Sequence, residues 1–365
     1  MRLRELTNFL ETLAPLAFQE DYDNSGLIVG DPEMALSGAL ISLDCTEAVI
    51  DEAIANGFNL VISHHPIVFR GLKKFNGKSY VERVVMKAIK NDIALYAIHT
   101  NFDNVLEGVN KKICNKLGVL NPGILKSKEG ALKKLVTFCP EEEAEKVREA
   151  LFNAGAGWIG NYSECSYNTE GFGTFKAGEG ADPHVGEIGK RHSESEIRIE
   201  TIYPAVVERK LIAALFNSHP YEEVSYDLYP ITNSHPQVGS GMIGNLEHDQ
   251  DEISFLKVIK TNLNAKVIRH TAITGKKIRR VAVCGGSGSF LLSTAINAGA
   301  DIFVTADFKY HEFFEAEGKI VIADVGHFES EQFTQELLFE LITEKFRNFA
   351  LRLTTQNTNP INYLI

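Results

Sequence analysis

The chain has 365 residues, which at roughly 100–200 residues per domain predicts two or three domains, and its 44% hydrophobic and 23% charged residues exclude disorder and fibrous structure. Its 37 basic and 48 acidic residues leave a formal charge of −11, which argues against broad nucleic-acid binding; the short basic runs Leu72-Lys73-Lys74 and Lys276-Lys277-Ile278-Arg279-Arg280 read as solvated turns. Five scattered cysteines (Cys45, Cys114, Cys139, Cys165, Cys284) without a Cys-x-x-Cys pair argue against a disulfide framework or a thiolate zinc site.

Leu3, Leu6, Leu10 and Leu13 share one helical face. The chain turns acidic at Glu5, too early for a signal peptide, and no run approaches the ~20 apolar residues of a membrane span. A reduced, cytoplasmic protein with no membrane partner is therefore expected. A short strand over 39–43 ends at Asp44, a helix over 47–55 stops at Asn56-Gly57, and Leu60-Val61-Ile62 forms a second buried strand. A helix over 80–90 and a strand over 93–98 follow. Strands separated by helices of this length predict parallel βαβ units with helices on both faces.

The middle differs in character. A strand at 135–138 leads into a helix after Pro140 that opens with Glu141, Glu142 and Glu143, acids suited to the positive end of the helix dipole. The glycine-rich stretch from Gly155 to Arg191 reads as hairpins and loops, followed by a strand over 197–203, a helix over 206–216 and a strand over 224–228. This is the pattern of a ferredoxin-like α+β domain. The α/β grammar then returns with strands at 281–284, 302–304 and 320–323 and a long amphipathic helix over 328–346. The expected fold class is α/β, a discontinuous core of mixed or parallel sheet with flanking helices. The core occupies residues 1–129 and 233–365, interrupted by the ferredoxin-like insert at 130–232.

Chemistry concentrates where strands end. His64-His65-Pro66 follows the strand 60–62, at the edge where open α/β sheets collect ligands, and adjacent histidines there can face two centres. His99-Thr100-Asn101-Phe102-Asp103 follows the next strand; Asp103 suits either an oxygen ligand or a turn. After strand 320–323, His327 and Glu331 stand at i, i+4 on one helical face. His64, His65, Asp103, His327 and Glu331 make a nitrogen and oxygen donor set without thiolate, suited to Zn²⁺, Mn²⁺ or Fe²⁺. Five side chains exceed the three protein ligands usual for one catalytic zinc, so two divalent ions sharing a bridging carboxylate fit better, with zinc the first choice and manganese or iron the alternatives. His99 is a candidate for proton transfer, and Asp44 and His311 for orienting ligand histidines. Gly285-Gly286-Ser287-Gly288-Ser289 is either a phosphate cradle or a plain tight turn, lacking a P-loop lysine. His219 and Tyr221 read as structural.

At these residues the sequence resembles the NIF-three-like family, also catalogued as GTP cyclohydrolase I type 2 homologues. The resemblance spans nearly the whole chain, through Asp23-Asn24-Ser25-Gly26-Leu27, Ser63-His64-His65-Pro66, His99-Thr100-Asn101-Phe102-Asp103, Lys309-Tyr310-His311 and Gly326-His327-Phe328-Glu329-Ser330-Glu331. Tyr22 departs from the tryptophan often found before Asp-Asn. The resemblance implies that His65 and Asp103 hold one metal, His64 and His327 the other, and that Glu331 bridges them. It also implies a homohexamer, an insert similar to CutA and PII proteins around Ser218-His219-Pro220-Tyr221-Glu222-Glu223, and GTP ring-opening hydrolysis. The expected function is metal-dependent hydrolysis of a nucleotide or related small molecule, with Glu331 and His99 as catalytic candidates. The alternative is a metal-containing regulatory or scaffold protein whose insert senses a small molecule or binds a partner.

Overall fold

The computed structural model describes residues 1–364. Two compact units divide the chain: Met1–Ser127 together with the chain from Pro236 onward, and Lys128–His235. In the first unit, helix α1 (Leu3–Leu13) buries Leu3, Leu6 and Leu10, the face that their spacing puts inward. Strands β1 (Gly26–Val29) and β2 (Ala39–Ser42) follow, then α2 (Glu47–Ala55), β3 (Leu60–Ser63), α3 (Tyr80–Lys90) and β4 (Ala94–Ala97). Helix α2 starts where the Thr46 hydroxyl accepts from the Val49 amide and stops at Asn56, before Gly57 at φ 69°. Helix α3 starts in the same way at Ser79, whose hydroxyl accepts from the Glu82 amide. The short α4 (Thr100–Asp103), α5 (Val109–Leu117) and β5 (Leu120–Ser127) complete this segment.

The second unit contains β6 (Leu132–Pro140), α6 (Ala144–Asn153), β7 (Tyr167–Lys176), β8 (Arg191–Pro204), α7 (Glu208–Ser218) and β9 (Tyr226–Pro230). Its sheet runs β7-β8-β6-β9, antiparallel throughout, which is the split-βαβ order. Leu135, Cys139, Val147, Leu151, Ile199, Leu211 and Leu215 form the core between sheet and helices.

The first unit resumes with β10 (Gly239–Asp251), α8 (Glu252–Asn262), β11 (Arg269–His270), β12 (Lys277–Ser287), α9 (Leu292–Asn297), β13 (Ile302–Ala306) and β14 (Val321–Asp324). It ends with α10 (His327–Glu331), α11 (Thr334–Lys345) and β15 (Leu351–Leu353). One sheet has the order β1-β4-β3-β2-β15, the other β11-β14-β13-β12-β10-β5. Every residue of β2, β3, β4, β13 and β14 is buried, as expected for parallel strands covered on both faces. Ser42 pairs with Ser63 and Ser63 with Ala97, so β2, β3 and β4 end level and Asp44, His64, His65 and His99 leave the sheet at one edge. Thr305 pairs with Asp324 and Ser287 with Ala306, which sets Gly286, Asp307 and His327 at the corresponding edge of the other sheet.

The parallel cores are as the sequence predicts, but they lie in two separate sheets, each carrying antiparallel strands. Strands β5 and β10 escape a pattern reading because Pro122, Gly123, Gly239, Gly241 and Gly244 interrupt their apolar residues; pairing on both sides makes β10 a strand. The helix expected over 328–346 divides at Gln332-Phe333, giving His327 and Glu331 a short helix of their own. Within the stretch expected as hairpins and loops, β7 spans 10 residues and β8 begins at Arg191 rather than 197. No helix among the described residues is long and apolar enough to cross a membrane, and all five cysteines are free.

Candidate metal centre

His64 is fully buried at the end of β3, and its Nδ1 donates to the Ile98 carbonyl at 2.8 Å. A carbonyl only accepts, so Nδ1 carries the proton and Nε2 presents a lone pair. That lone pair lies 3.6 Å from Asp103 Oδ1 and 3.8 Å from Glu331 Oε2. Both His64 Nε2 and Asp103 Oδ1 are buried and make no hydrogen bond. Two orphaned acceptors facing each other in the interior are costly unless a cation sits between them.

His65 projects to a second position. Its Nδ1 meets Asp44 Oδ1 at 2.7 Å and its Nε2 meets Glu331 Oε2 at 2.9 Å. His327 mirrors it from the other sheet, with Nδ1 on Asp307 Oδ2 at 2.6 Å and Nε2 on Glu331 Oε2 at 3.0 Å. The two Nε2 atoms lie 3.2 Å apart. Each imidazole is thus backed by a carboxylate that fixes ring orientation and raises basicity, the arrangement that supports metal-ligating histidine. His99 repeats the motif, with Nδ1 on Asp23 Oδ1 at 2.7 Å, and its ring centroid stands 5.3 Å from those of His64 and His65.

These donors fall into three groups able to hold a metal ion: His64 with Asp103 and Glu331; His65 with His327 and Glu331; and His64 with His65 and His99. All five residues that the sequence offers as candidate ligands therefore converge, with His99 beside them. The grouping differs from the expectation, because Asp103 stands with His64 rather than His65 and His327 stands with His65. Adjacent side chains leaving a strand end diverge, and the side reached by each was not set by the local sequence. Glu331 belongs to two of the groups.

The charges respond to this crowding. Burial and the neighbouring Glu331 carboxylate push the Asp103 carboxyl up, while Glu331, despite burial, is held well below its usual range by His327 and the other histidines. Glu331 raises His327 to about 11 against the effect of burial. Burial lowers His65, but Asp44 and Glu331 outweigh it and raise it to about 9. Burial would raise Asp23, yet hydrogen bonds from His99, Thr100 and the Asn24 amide hold it well below the carboxylate range.

Asp44 orients a histidine as expected, whereas His311 packs its ring against Tyr310 and Phe314. Asp307 fills the second orienting position; its place directly after β13 was the available signal. Asp23, from the segment Asp23-Asn24-Ser25-Gly26-Leu27, orients His99. The glycine-rich segment is neither a phosphate cradle at its first two residues nor a plain tight turn: Gly285 and Gly286 lie in the end of β12, where the Gly285 amide donates to Asn110 Oδ1 and the Gly286 amide to the Ser330 hydroxyl, leaving neither for phosphate. Gly286 sits at φ 61°, and a Cβ there would overlap Glu331 Oε1. His219 Nε2 bonds the Phe138 carbonyl at 2.9 Å within the second unit, a structural role.

The chain is 35% identical over 371 residues to a Bacillus subtilis protein named GTP cyclohydrolase 1 type 2 homolog, covering 99% of this chain and 98% of that one. It is 37% identical over 360 residues to the protein of the same name from Halalkalibacterium halodurans, covering 97% and 96%. Among solved structures, a Bacillus cereus protein related to NIF3 aligns with a TM-score of 0.83 at 38% identity, covering 100% of this chain and 99% of that one. The family model Duf34/NIF3 (NGG1p interacting factor 3) matches residues 1–360, and the chain belongs to that family.

Proposed function

We propose that the chain is a metal-dependent hydrolase with two divalent cations at this site, acting on a nucleotide or related small molecule. The observation that carries the reading is Glu331, whose carboxylate completes one donor group with His64 and Asp103 and another with His65 and His327. Orphaned His64 Nε2 and Asp103 Oδ1, and the overlap that any side chain at Gly286 would create, fit a site built around cations. Zinc is the first choice for this donor set, with manganese or iron as alternatives. Bound there, the cations would supply Lewis acidity and lower the pKa of a coordinated water. Asp44 and Asp307 hold the His65 and His327 rings so that Nε2 faces inward. His99, backed by Asp23, lines the same cavity of about 430 Å³ and is placed to hold or pass a proton. The names of the relatives make GTP the first nucleotide to test.

The reading includes a cytoplasmic location and the homohexamer expected from the family. Elemental analysis of protein purified without added metal, with a nucleotide and phosphoester hydrolysis screen on the same sample, tests it. About two metals per chain and chelator-sensitive turnover are expected; one metal or fewer, or no turnover, refutes it. One feature favours a regulatory second reading with a CutA- or PII-like sensing insert: the second unit has its own cavity of about 700 Å³, lined by Phe138, Phe175, Glu196 and Tyr221. Deleting residues 130–232 separates the two, because core catalysis survives the deletion and a ligand response does not.

A further inference from the structure

We infer that the metal cavity takes a neutral planar heteroaromatic ring, a purine base or nucleoside, clamped by Tyr22 and Phe69 rather than a nucleoside triphosphate. The inference rests on the hydrolase reading above and narrows its substrate class. Three large aromatic side chains line the cavity mouth and remain open to solvent: Tyr22 is 64% exposed, Phe69 45% and Phe290 58%. Exposed aromatics gathered at one concave site mark a recognition surface. Tyr22 and Phe69 have ring centroids 6.1 Å apart at 45°, a tilted pair forming one wall, and Phe69 lies 6.3 Å from the His99 ring. A flat ring resting on that wall reaches His99 and lies over the donor groups.

The charge balance selects against polyphosphate. Among the described residues the lining includes the carboxylates Glu20, Asp103 and Glu331, but no lysine or arginine. Two divalent cations against these three carboxylates leave about one positive charge. Asp23, Asp44 and Asp307 stand immediately behind the histidines and reduce it further. A triphosphate, with roughly four negative charges, normally meets arginine, lysine or free amides. At the end of β12 the Gly285 and Gly286 amides are also unavailable to a phosphate, since they donate to Asn110 and Ser330.

The test uses the full metal-loaded chain with guanosine and GTP as probes, measured by calorimetry alongside metal content. Guanosine should bind tighter than GTP, and Phe69→Ala should weaken guanosine roughly tenfold, as for loss of one base-stacking ring. Tyr22→Phe should keep guanosine affinity within about twofold and Tyr22→Ala should not. All variants should keep wild-type metal content, since none of these rings is a ligand. GTP binding tighter than guanosine, no guanosine binding by protein holding two metals, or unchanged affinity in both alanine variants would overturn the clamp. Protein that holds fewer than two metals would instead refute the reading on which the clamp rests.

Discussion

Replacing Glu331 with glutamine keeps the volume of a side chain that is 3% exposed and exchanges its carboxylate charge for a neutral amide. In the metal-free protein that charge faces His65 Nε2 at 2.9 Å and His327 Nε2 at 3.0 Å. Those two nitrogens lie 3.2 Å apart, so the carboxylate is what lets both rings carry a proton. Removing one member of a buried ion pair costs about 3–5 kcal/mol, because the remaining charge is uncompensated. The His327 side chain is 36% exposed, so solvent screening places the expected loss near the lower end, about 3 kcal/mol. The metal-loaded protein should lose more, because both donor groups containing Glu331 become incomplete at once. Urea unfolding of metal-free wild type and Glu331→Gln measures the first effect, and elemental analysis after dialysis measures the second. A metal-free variant within about 0.5 kcal/mol of wild type, or one that retains wild-type metal content, would refute the reasoning.

Gly286→Ala should displace the Glu331 carboxylate, because the new Cβ overlaps Oε1 and a residue at φ 61° resists a side chain; metal content should fall with a stability loss of only ~1–2 kcal/mol. Intact metal content in a folded Gly286→Ala protein would count against a cation site at Glu331. Asp307→Asn should weaken metal binding about 10–100-fold by loosening His327, which a competitive chelator titration reads directly; unchanged affinity would sink the orienting role. His65 and His327, raised to about 9 and about 11, are protonated in metal-free protein at pH 7.5, and a metal needs their neutral forms. Metal binding should therefore release protons and strengthen as pH rises, visible as a buffer-dependent heat in calorimetry. By the same linkage, the stabilisation that these ion pairs give the metal-free fold is complete below about 6.5, the ordinary histidine value, and is lost as pH rises through 9 and then 11. Metal-free stability that stays flat from pH 6.5 to 11 would contradict the proposed pairs.

Local patterns located most of the parallel strands and the helices between them. Helix α2 was legible to the residue, because Thr46 caps it and Asn56-Gly57 ends it within a single stretch of chain. Strand β10 was not, since its glycines weaken the pattern and its partners β12 and β5 come from distant segments. The long helix expected near the C-terminus hid a break at Gln332-Phe333, where periodicity continues although the helix does not.

The candidate donor residues were legible for the same reason. His64-His65, His99, Asp103 and the His327–Glu331 pair stand just past buried strands, and burial of those strands is written in their apolar runs. The grouping of these donors was not, because it depends on contacts such as His65 with Glu331 and His65 with His327, separated by 266 and 262 residues. A strand end fixes that two neighbouring histidines diverge. Which carboxylate meets each one depends on how the edges of two sheets face each other, and that arrangement comes from packing between segments distant in sequence. Asp307 and Asp23 acquired their roles in the same way, as ordinary acids in loops until the fold set them against His327 and His99.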